Sequence, residues 1–147
     1  VEAKEQGLVT AIGVTGHYDP AILIHAIETW PLDTVLLPVN PVEGVIGGFL
    51  ESALPAARRR GLGIIGMKVF GGGQYIDPAA GISPEQLLRY ALSQDIDVAI
   101  AGCRTPQEVR TLAAAGRLPI LPQREQRELL DMLQDDADRL AYYRGVI

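Results

Sequence analysis

The sequence contains few of the residues that build metal sites or covalent cross-links. It has one cysteine, Cys103, and two histidines, His17 and His25, in 147 residues. A single cysteine can neither form an intrachain disulfide nor build a cysteine-based metal site. The two separated histidines and the scattered carboxylates lack metal-ligand spacing. We therefore predict no metal site, and we expect a reducing, cytoplasmic compartment.

Long apolar runs and an excess of basic charge are also missing. No uninterrupted apolar stretch reaches the roughly 20 residues of a membrane helix, so no membrane association is predicted. The 13 basic and 18 acidic residues give a net charge of −5, which argues against a nucleic-acid partner. The opening "VEAKEQG" has no signal-peptide pattern and is typical of a last helical turn stopped by Gly7. We expect the chain to begin inside a larger unit.

Four apolar segments predict the strands of a single domain covering 1–147. They lie at 8–14, 34–39, 63–70 and 98–102. Their near-continuous hydrophobicity is typical of strands buried on both faces, as in a parallel sheet. Pro38 lies inside the second segment and cannot donate a ladder hydrogen bond.

Helical patterns separate and follow these strands. They cover 19–30, 49–61, 83–94, 105–116 and 122–144. Thr105, followed by Pro106 and by Glu108, predicts a capping box, whereas Pro55 predicts a break or a late start in the second helix. The alternation predicts an α/β fold with four parallel βα units over 1–120 and a C-terminal helix over 121–147.

Polar and glycine-rich loops follow the strands, where α/β folds place their functional groups. The glycines at 71–73 either admit a phosphate close to the backbone or only provide special dihedral angles. Arg104 precedes a capped helix, and it either meets an anion or is solvated. Lys68 either meets a phosphate or carboxylate, or extends its stem towards the barrel mouth. Asn40 is either a polar anchor or a turn residue.

With these residues in place, the ordered motifs resemble the C-terminal half of an aldo-keto reductase, in the branch of predicted oxidoreductases. The motifs are "AIGVTGH", "PVNP", "RGLGIIGMKVFGGG", "LLRYALS" and "AGCRTPQEV", and the resemblance spans about residues 3–116. It implies that the four βα units form half of a (β/α)8 TIM barrel that binds NADP(H) or NAD(H).

The resemblance also implies which residues contact the cofactor. At the nicotinamide end these are Thr15, His17, Asn40 and Met67, where Met67 replaces an aromatic residue and His17 departs from the family pattern. Lys68, Phe70, Gly71 and Gly72 fall in the loop that contacts the pyrophosphate. Gly102, Arg104 and Thr105 fall in the loop that meets the adenosine phosphate, with Glu108 in the helix below.

The function implied is the cofactor-binding half of an NAD(P)H-dependent oxidoreductase that transfers hydride to or from a carbonyl or alcohol. The family's catalytic Asp, Tyr, Lys and His belong to the first half of the barrel, so no catalytic residue is predicted in this chain. The expected partner is an N-terminal half-barrel or a second copy, because four βα units leave two open parallel edges. The alternative is a non-catalytic half-barrel that self-associates and binds a phosphate-bearing ligand.

Overall fold

A computed structural model describes residues 1–145 and contains a four-stranded parallel sheet with helices between the strands. The strands are β1 (Gly13–Thr15), β2 (Thr34–Pro38), β3 (Gly63–Met67) and β4 (Val98–Ala99), and each pairs with the next along the chain. The helices are α1 (Glu2–Glu5), α2 (Pro20–Thr29), α3 (Pro41–Ile46), α4 (Leu54–Arg59), α5 (Pro84–Leu92), α6 (Pro106–Ala115), α7 (Gln123–Leu133) and α8 (Ala137–Leu140). The predicted α/β class with parallel strands is confirmed.

One face of the sheet is covered by helices. Val35, Leu37 and Ile64 are completely buried there against Leu23 and Ile27 of α2 and neighbouring apolar side chains. A second apolar cluster lies between α3, α5, α7 and α8. Because side chains alternate along a strand, the residues between these buried positions face the opposite side.

That opposite face is largely uncovered. Thr15, Leu36, Ile65 and Val98 lie side by side across the four strands. None of them is buried, and the side chain of Val98 is 51% exposed. Within residues 1–145, β1 and β4 each pair on one side only. The sheet therefore has two open edges and one open apolar face.

The first and last predicted strands are longer than the observed ones. The amides of Leu8 and Val9 both bond to the carbonyl of Ala3, so the chain wraps around the end of α1 before β1 begins. Leu8 is 72% exposed, which explains why hydrophobicity alone misassigned it. β3 ends at Met67 because the next residue, Lys68, has a φ of +58°.

Two predicted helices are interrupted and one helix was missed. A π-helical turn at Phe49–Ala53 leads directly into α4, in which Pro55 lies in the first turn, so of the predicted break or late start the structure shows the late start. The helix predicted over 122–144 is wrong as a single element, because a 3-10 turn at Gln134–Asp136 separates α7 from α8. The unpredicted helix α3 begins after Asn40, whose side chain accepts the amide of Glu43. Residues 146 and 147 of the predicted C-terminal segment lie outside the described residues.

The same carboxylate arrangement occurs at the start of two strands. Asp33 precedes β2, accepts the amide of Ile12 at 2.8 Å, and pairs with Lys4 of α1 at 2.6 Å. Asp97 precedes β4, accepts the amide of Ile64 at 2.6 Å, and pairs with Arg58 at 2.9 Å. Each carboxylate thus joins its own strand to the preceding strand and helix.

The chain around these two cations is also similar. Lys4 and Arg58 are each followed three residues later by a glycine with positive φ, Gly7 at +72° and Gly61 at +68°. The next residue in each case, Leu8 or Leu62, bonds back to an alanine carbonyl one residue before the cation. The segments "AKEQGL" and "ARRRGL" therefore have the same local structure, which the sequence analysis did not identify.

Candidate functional site

The three glycines after β3 form a tight turn. Gly71, Gly72 and Gly73 have φ values of +51°, +66° and +96°, where a Cβ atom is costly. Gly71 is buried, and a Cβ atom there would overlap the ring of Tyr75. Gly72 and Gly73 are exposed. The first glycine therefore has a packing reason, while the backbone of the other two is accessible from solvent.

The start of α6 lies next to this turn and carries a modified capping box. Thr105 Oγ1 accepts the amide of Glu108 at 3.2 Å, as predicted. The carboxylate of Glu108 accepts the amide of Arg104 at 2.7 Å rather than that of the capping residue itself. The exposed Arg104 guanidinium has no ion pair within residues 1–145. A helix N-terminus carries partial positive charge, so an anion is favoured here.

Two adjoining clefts connect the glycine turn with α6. One, of about 390 Å³, is lined by Lys68, Gly72, Gly73 and Tyr142, among others. The other, of about 490 Å³, is lined by side chains of α6 and its N-terminal cap, including Thr105 and Glu108. Both are lined by Phe70, Gly102 and Arg104. The predicted pyrophosphate and adenosine residues are thus brought together, except that the buried Gly71 lines neither cleft.

The residues predicted for the nicotinamide end are arranged differently. Asn40 is completely buried, and its Nδ2 donates to the Lys68 carbonyl at 3.2 Å and to Tyr143 Oη at 3.1 Å. His17 Nδ1 lies 3.3 Å from the Tyr143 carbonyl oxygen. Thr15 lines a separate groove beside α2, and Met67 is half-buried at the end of β3. Asn40 and His17 therefore already bond to the C-terminal segment, residues 140–145.

This C-terminal segment is held by a buried polar network that the sequence analysis missed. Glu43 is completely buried, and its two carboxylate oxygens accept from Tyr143 Oη at 2.8 Å and from Arg144 Nη1 at 2.7 Å. Arg144 Nη1 also donates to the Gly47 carbonyl at 3.1 Å. The signal available was the "YYR" sequence, which interrupts the apolar stripe of the predicted last helix. Its partner lies about 100 residues away, so no local pattern identifies it.

Burial determines the protonation of this network. It raises the pKa of Glu43 above its usual range, although the neighbouring Tyr143 and Arg144 act in the opposite direction. It also raises the pKa of Tyr143 strongly, and the adjacent Glu43 carboxylate adds to that increase. The Tyr143 hydroxyl therefore remains protonated at neutral pH and donates to Glu43.

The side chains around Tyr143 form a cluster of a tyrosine, a lysine, a histidine and a carboxylate, which are Tyr143, Lys68, His17 and Glu43. These are the same kinds of side chain as in a reductase catalytic set. Its geometry is unsuited to proton donation, because the Tyr143 hydroxyl is buried and already bonded on both sides. Lys68 Nζ lies over the ring face, 5.6 Å from its centroid, rather than beside the hydroxyl. A tyrosine with a raised pKa is also a weaker acid than an unperturbed one. We assign this cluster a structural role.

Within residues 1–145, no group of three or more His, Cys, Asp or Glu side chains is arranged to hold a metal ion. In the same range, no helix combines the length and apolar character needed to cross a bilayer.

The arrangement of strands and helices is similar to that of solved aldo-keto reductases. For AKR11C1 from Bacillus halodurans, the holo form gives a TM-score of 0.70 and the apo form 0.69, each at 13% sequence identity. The matches cover 89% of this chain, and 52% and 53% of those chains. No protein-family model and no curated protein sequence matches.

The fold is therefore that of a partial aldo-keto-reductase-like TIM barrel, as predicted. The chain spans about half the length of the structures it matches. Within this half, the clefts beside Lys68 and Arg104 combine two cationic side chains with an accessible glycine backbone. The side chain of Asn40 is buried and bonded to Tyr143, so the predicted nicotinamide contact of Asn40 stays a prediction.

Proposed function

We propose that this chain holds the pyrophosphate and adenosine part of a nicotinamide dinucleotide, NADP(H) or NAD(H), in an oxidoreductase of aldo-keto-reductase type. The observation that carries the proposal is the pair of adjoining clefts after β3 and β4, both lined by Arg104. When bound, the nicotinamide would supply hydride to a carbonyl or accept it from an alcohol. The family's catalytic set belongs to the other half of such a barrel, so we assign no catalytic residue here.

The chemistry of the clefts supports a phosphate ligand. Lys68 and Arg104 supply two cations, and a guanidinium can bind phosphate oxygens through two parallel hydrogen bonds. Gly72 and Gly102 are exposed and have no side chain to keep an anion away from the backbone. A Cβ atom at Gly102 would meet nothing within 4 Å, so this position is open space. Phe70 adds an apolar surface shared by both clefts.

Direct binding to the full chain tests this proposal. The affinities for NADPH and ADP-ribose are measured by calorimetry for the wild type and for Arg104→Ala. Because a hydrogen bond to a charged group contributes about 1.5–3 kcal/mol, we expect affinity to fall by about tenfold or more. Reduced nicotinamide mononucleotide, which lacks the adenosine and pyrophosphate, is expected not to bind.

Arg110→Ala is the matched control. Arg110 lies on α6, the helix that follows Arg104, is exposed, and contacts Gln107 at 3.4 Å. Arg110→Ala changes the net charge by the same amount as Arg104→Ala, and it is expected to leave the affinities for NADPH and ADP-ribose unchanged. Equal losses of affinity in Arg104→Ala and Arg110→Ala would reject the proposed site. So would the absence of saturable binding of NADPH and ADP-ribose to the wild type.

Exposed apolar side chains near the two open edges of the sheet support a second half-barrel as partner. Ile22 and Trp30 of the first βα unit are 67% and 52% exposed, and Val98 and Ile100 at the opposite edge are 51% and 52% exposed. Exposed apolar patches of this kind mark interaction sites. In the alternative function, two copies of this chain pair edge to edge and close an eight-stranded barrel.

Sedimentation velocity distinguishes these partners. A dimer that dissociates on dilution, and that Val98→Glu shifts to monomer, supports pairing of two copies. Met132→Glu is the control, because Met132 is similarly exposed at 54% but lies on α7, away from the sheet. A monomer at every concentration rejects self-association and leaves a separate half-barrel as the proposed partner.

A further inference from the structure

Lys68 occupies an unusual backbone position at the end of β3. It is the one residue other than glycine with a positive φ, +58°, among residues 1–145. An L-residue in this region is uncommon, and it persists only where surrounding contacts favour it. Its carbonyl accepts from Asn40 Nδ2 and from the amide of Gly71, so the backbone of Lys68 is held on two sides.

Two tyrosine rings hold the other end of Lys68. Its Nζ lies 5.9 Å from the ring centroid of Tyr142 and 5.6 Å from that of Tyr143. The two rings are nearly perpendicular, at 83°, with centroids 5.4 Å apart. Aromatic faces attract an ammonium group within about 6 Å without neutralising its charge. The two rings therefore hold the Lys68 ammonium at one place beside the cleft.

The cleft beside this ammonium carries one sign of charge. Its lining contains Lys68 and Arg104 and no aspartate or glutamate, in a chain whose net charge is −5. Lys68 forms no ion pair within the part of the chain that is described. Two cations without a carboxylate in one cleft favour an anionic ligand.

Tyr142 and Tyr143 differ in how they are held. Tyr143 is buried and bonded to Asn40 and Glu43, whereas Tyr142 is 48% exposed and lines the cleft. A Cβ atom on Gly72 would lie 3.1 Å from Tyr142 Oη, so the ring lies against the glycine turn. Tyr142 is thus the exposed partner of Lys68, next in sequence to the buried and hydrogen-bonded Tyr143.

We propose that Tyr142 is a positioning residue, whose ring holds the Lys68 ammonium in the cleft where it binds the diphosphate of the ligand. This inference rests on the proposed function, and it adds the C-terminal segment to the binding site. It assigns Lys68 to a diphosphate rather than to a single phosphate at the start of α6.

A double-mutant cycle on the full chain tests the coupling. The variants are Tyr142→Leu, Lys68→Met and the double variant, and the ligands are ADP-ribose and adenosine monophosphate. We expect each single substitution to weaken ADP-ribose binding by about tenfold, and the double variant to lose little more than Lys68→Met alone. Adenosine monophosphate, which has no diphosphate, is expected to bind all variants similarly.

Tyr142→Phe is the conservative control, because it keeps the ring and removes only the hydroxyl. It is expected to bind ADP-ribose as the wild type does. Ligand-free NMR provides a separate readout: ring currents should shift the Lys68 ε-protons upfield in the wild type and in Tyr142→Phe, and clearly less in Tyr142→Leu, in which only the Tyr143 ring remains.

The outcomes separate this inference from the function on which it rests. Two outcomes overturn the positioning role alone, provided that the wild type binds ADP-ribose. In one, Tyr142→Leu binds ADP-ribose with unchanged affinity. In the other, the losses of the two single variants add up in the double variant. Lys68 ε-protons that are unshifted in the wild type, or that are shifted equally in Tyr142→Leu, also overturn it. No ADP-ribose binding to the wild type, with the ring-current shift present, rejects the proposed function and with it the role of Tyr142 towards a ligand.

Discussion

The carboxylate of Glu43 and the guanidinium of Arg144 form a buried ion pair across 101 positions of sequence. Glu43 Oε2 lies 2.7 Å from Arg144 Nη1, and the two side chains are 0% and 6% exposed. Arg144 also stacks on Phe49, with 5.0 Å from Cζ to the ring centroid. This pair joins the C-terminal segment to the helix after β2, and so determines where Tyr142 and Tyr143 lie.

Removing one partner of this pair should destabilise the fold strongly. Arg144→Met leaves the Glu43 carboxylate buried without its cation, and breaking such a pair costs about 3–5 kcal/mol in the free energy of unfolding. Urea denaturation measures the change. Arg139→Met is the control, because Arg139 and Asp136 form an exposed pair, worth about 0–1 kcal/mol. Equal losses in the two variants would contradict a buried pair.

Asp97 and Glu43 should make the free energy of unfolding depend on pH in opposite directions. The pKa of Asp97 is lowered, chiefly by its hydrogen bond with Arg58, so its contribution is present above the ordinary value of 3.8 and is lost as pH falls. The pKa of Glu43 is raised by burial, so its contribution is present below the ordinary value of 4.5 and is lost as pH rises.

Urea midpoints measured across the acid range separate the two groups. Asp97→Asn is expected to weaken the fall in stability on acidification, whereas Glu43→Gln is expected to weaken the fall on raising the pH above the ordinary glutamate value. Asp33→Asn should act as Asp97→Asn does, because Lys4 and the Ile12 amide lower the pKa of Asp33. The same pH dependence in all three variants would contradict these assignments.

Substitution by alanine should destabilise the protein more at Gly71 than at Gly73, the two ends of the glycine turn. Gly71→Ala adds a Cβ atom into the Tyr75 ring in addition to a positive φ, whereas a Cβ atom at Gly73 meets nothing within 4 Å. We expect Gly73→Ala to cost about 1–2 kcal/mol from backbone strain alone, and Gly71→Ala to cost clearly more. Thermal unfolding of both variants checks the order, and a smaller loss at Gly71 would be inconsistent with its packing role.

Glu108 should weaken anion binding while it supports α6. Its carboxylate accepts the Arg104 amide at 2.7 Å, so it brings negative charge to the end of the helix where a phosphate would bind. Glu108→Gln is expected to raise the affinity for ADP-ribose by about threefold and to lower stability slightly. Affinity is measured by calorimetry and stability by urea denaturation. A lower affinity would indicate that Glu108 contacts the ligand favourably.

The sequence was sufficient for the elements whose signals are local. The helices predicted over 19–30, 83–94 and 105–116 are observed as α2, α5 and α6, and each begins after a side chain that accepts an amide of the first turn, namely Asp19, Ser83 or Thr105. The apolar segments correctly located β2 and β3. The ordered motifs that resemble those of aldo-keto reductases were enough to predict the partial barrel.

The remainder depends on contacts between distant residues. Hydrophobicity assigned Leu8 and Val9 to a strand, although the end of α1 captures their amides. The pattern over 122–144 predicted one helix, and Leu129, Leu133 and Leu140 are buried although a turn interrupts that segment. The network around Glu43 joins residues about 100 positions apart, so only the folded chain reveals that the C-terminal tyrosines lie beside Asn40 and Lys68.

Titration of the uniformly ¹⁵N-labelled chain with NADPH, followed by amide chemical shifts, tests the central claim most directly. The claim is that the turn after β3 and the start of α6 hold the phosphate-bearing part of the dinucleotide. We expect saturable shifts at the amides of Gly72, Gly73, Gly102 and Arg104, and no change at Gly7 or Gly61 at the opposite end of the sheet. Absence of saturable shifts, or shifts centred on the groove beside Thr15, would contradict the account.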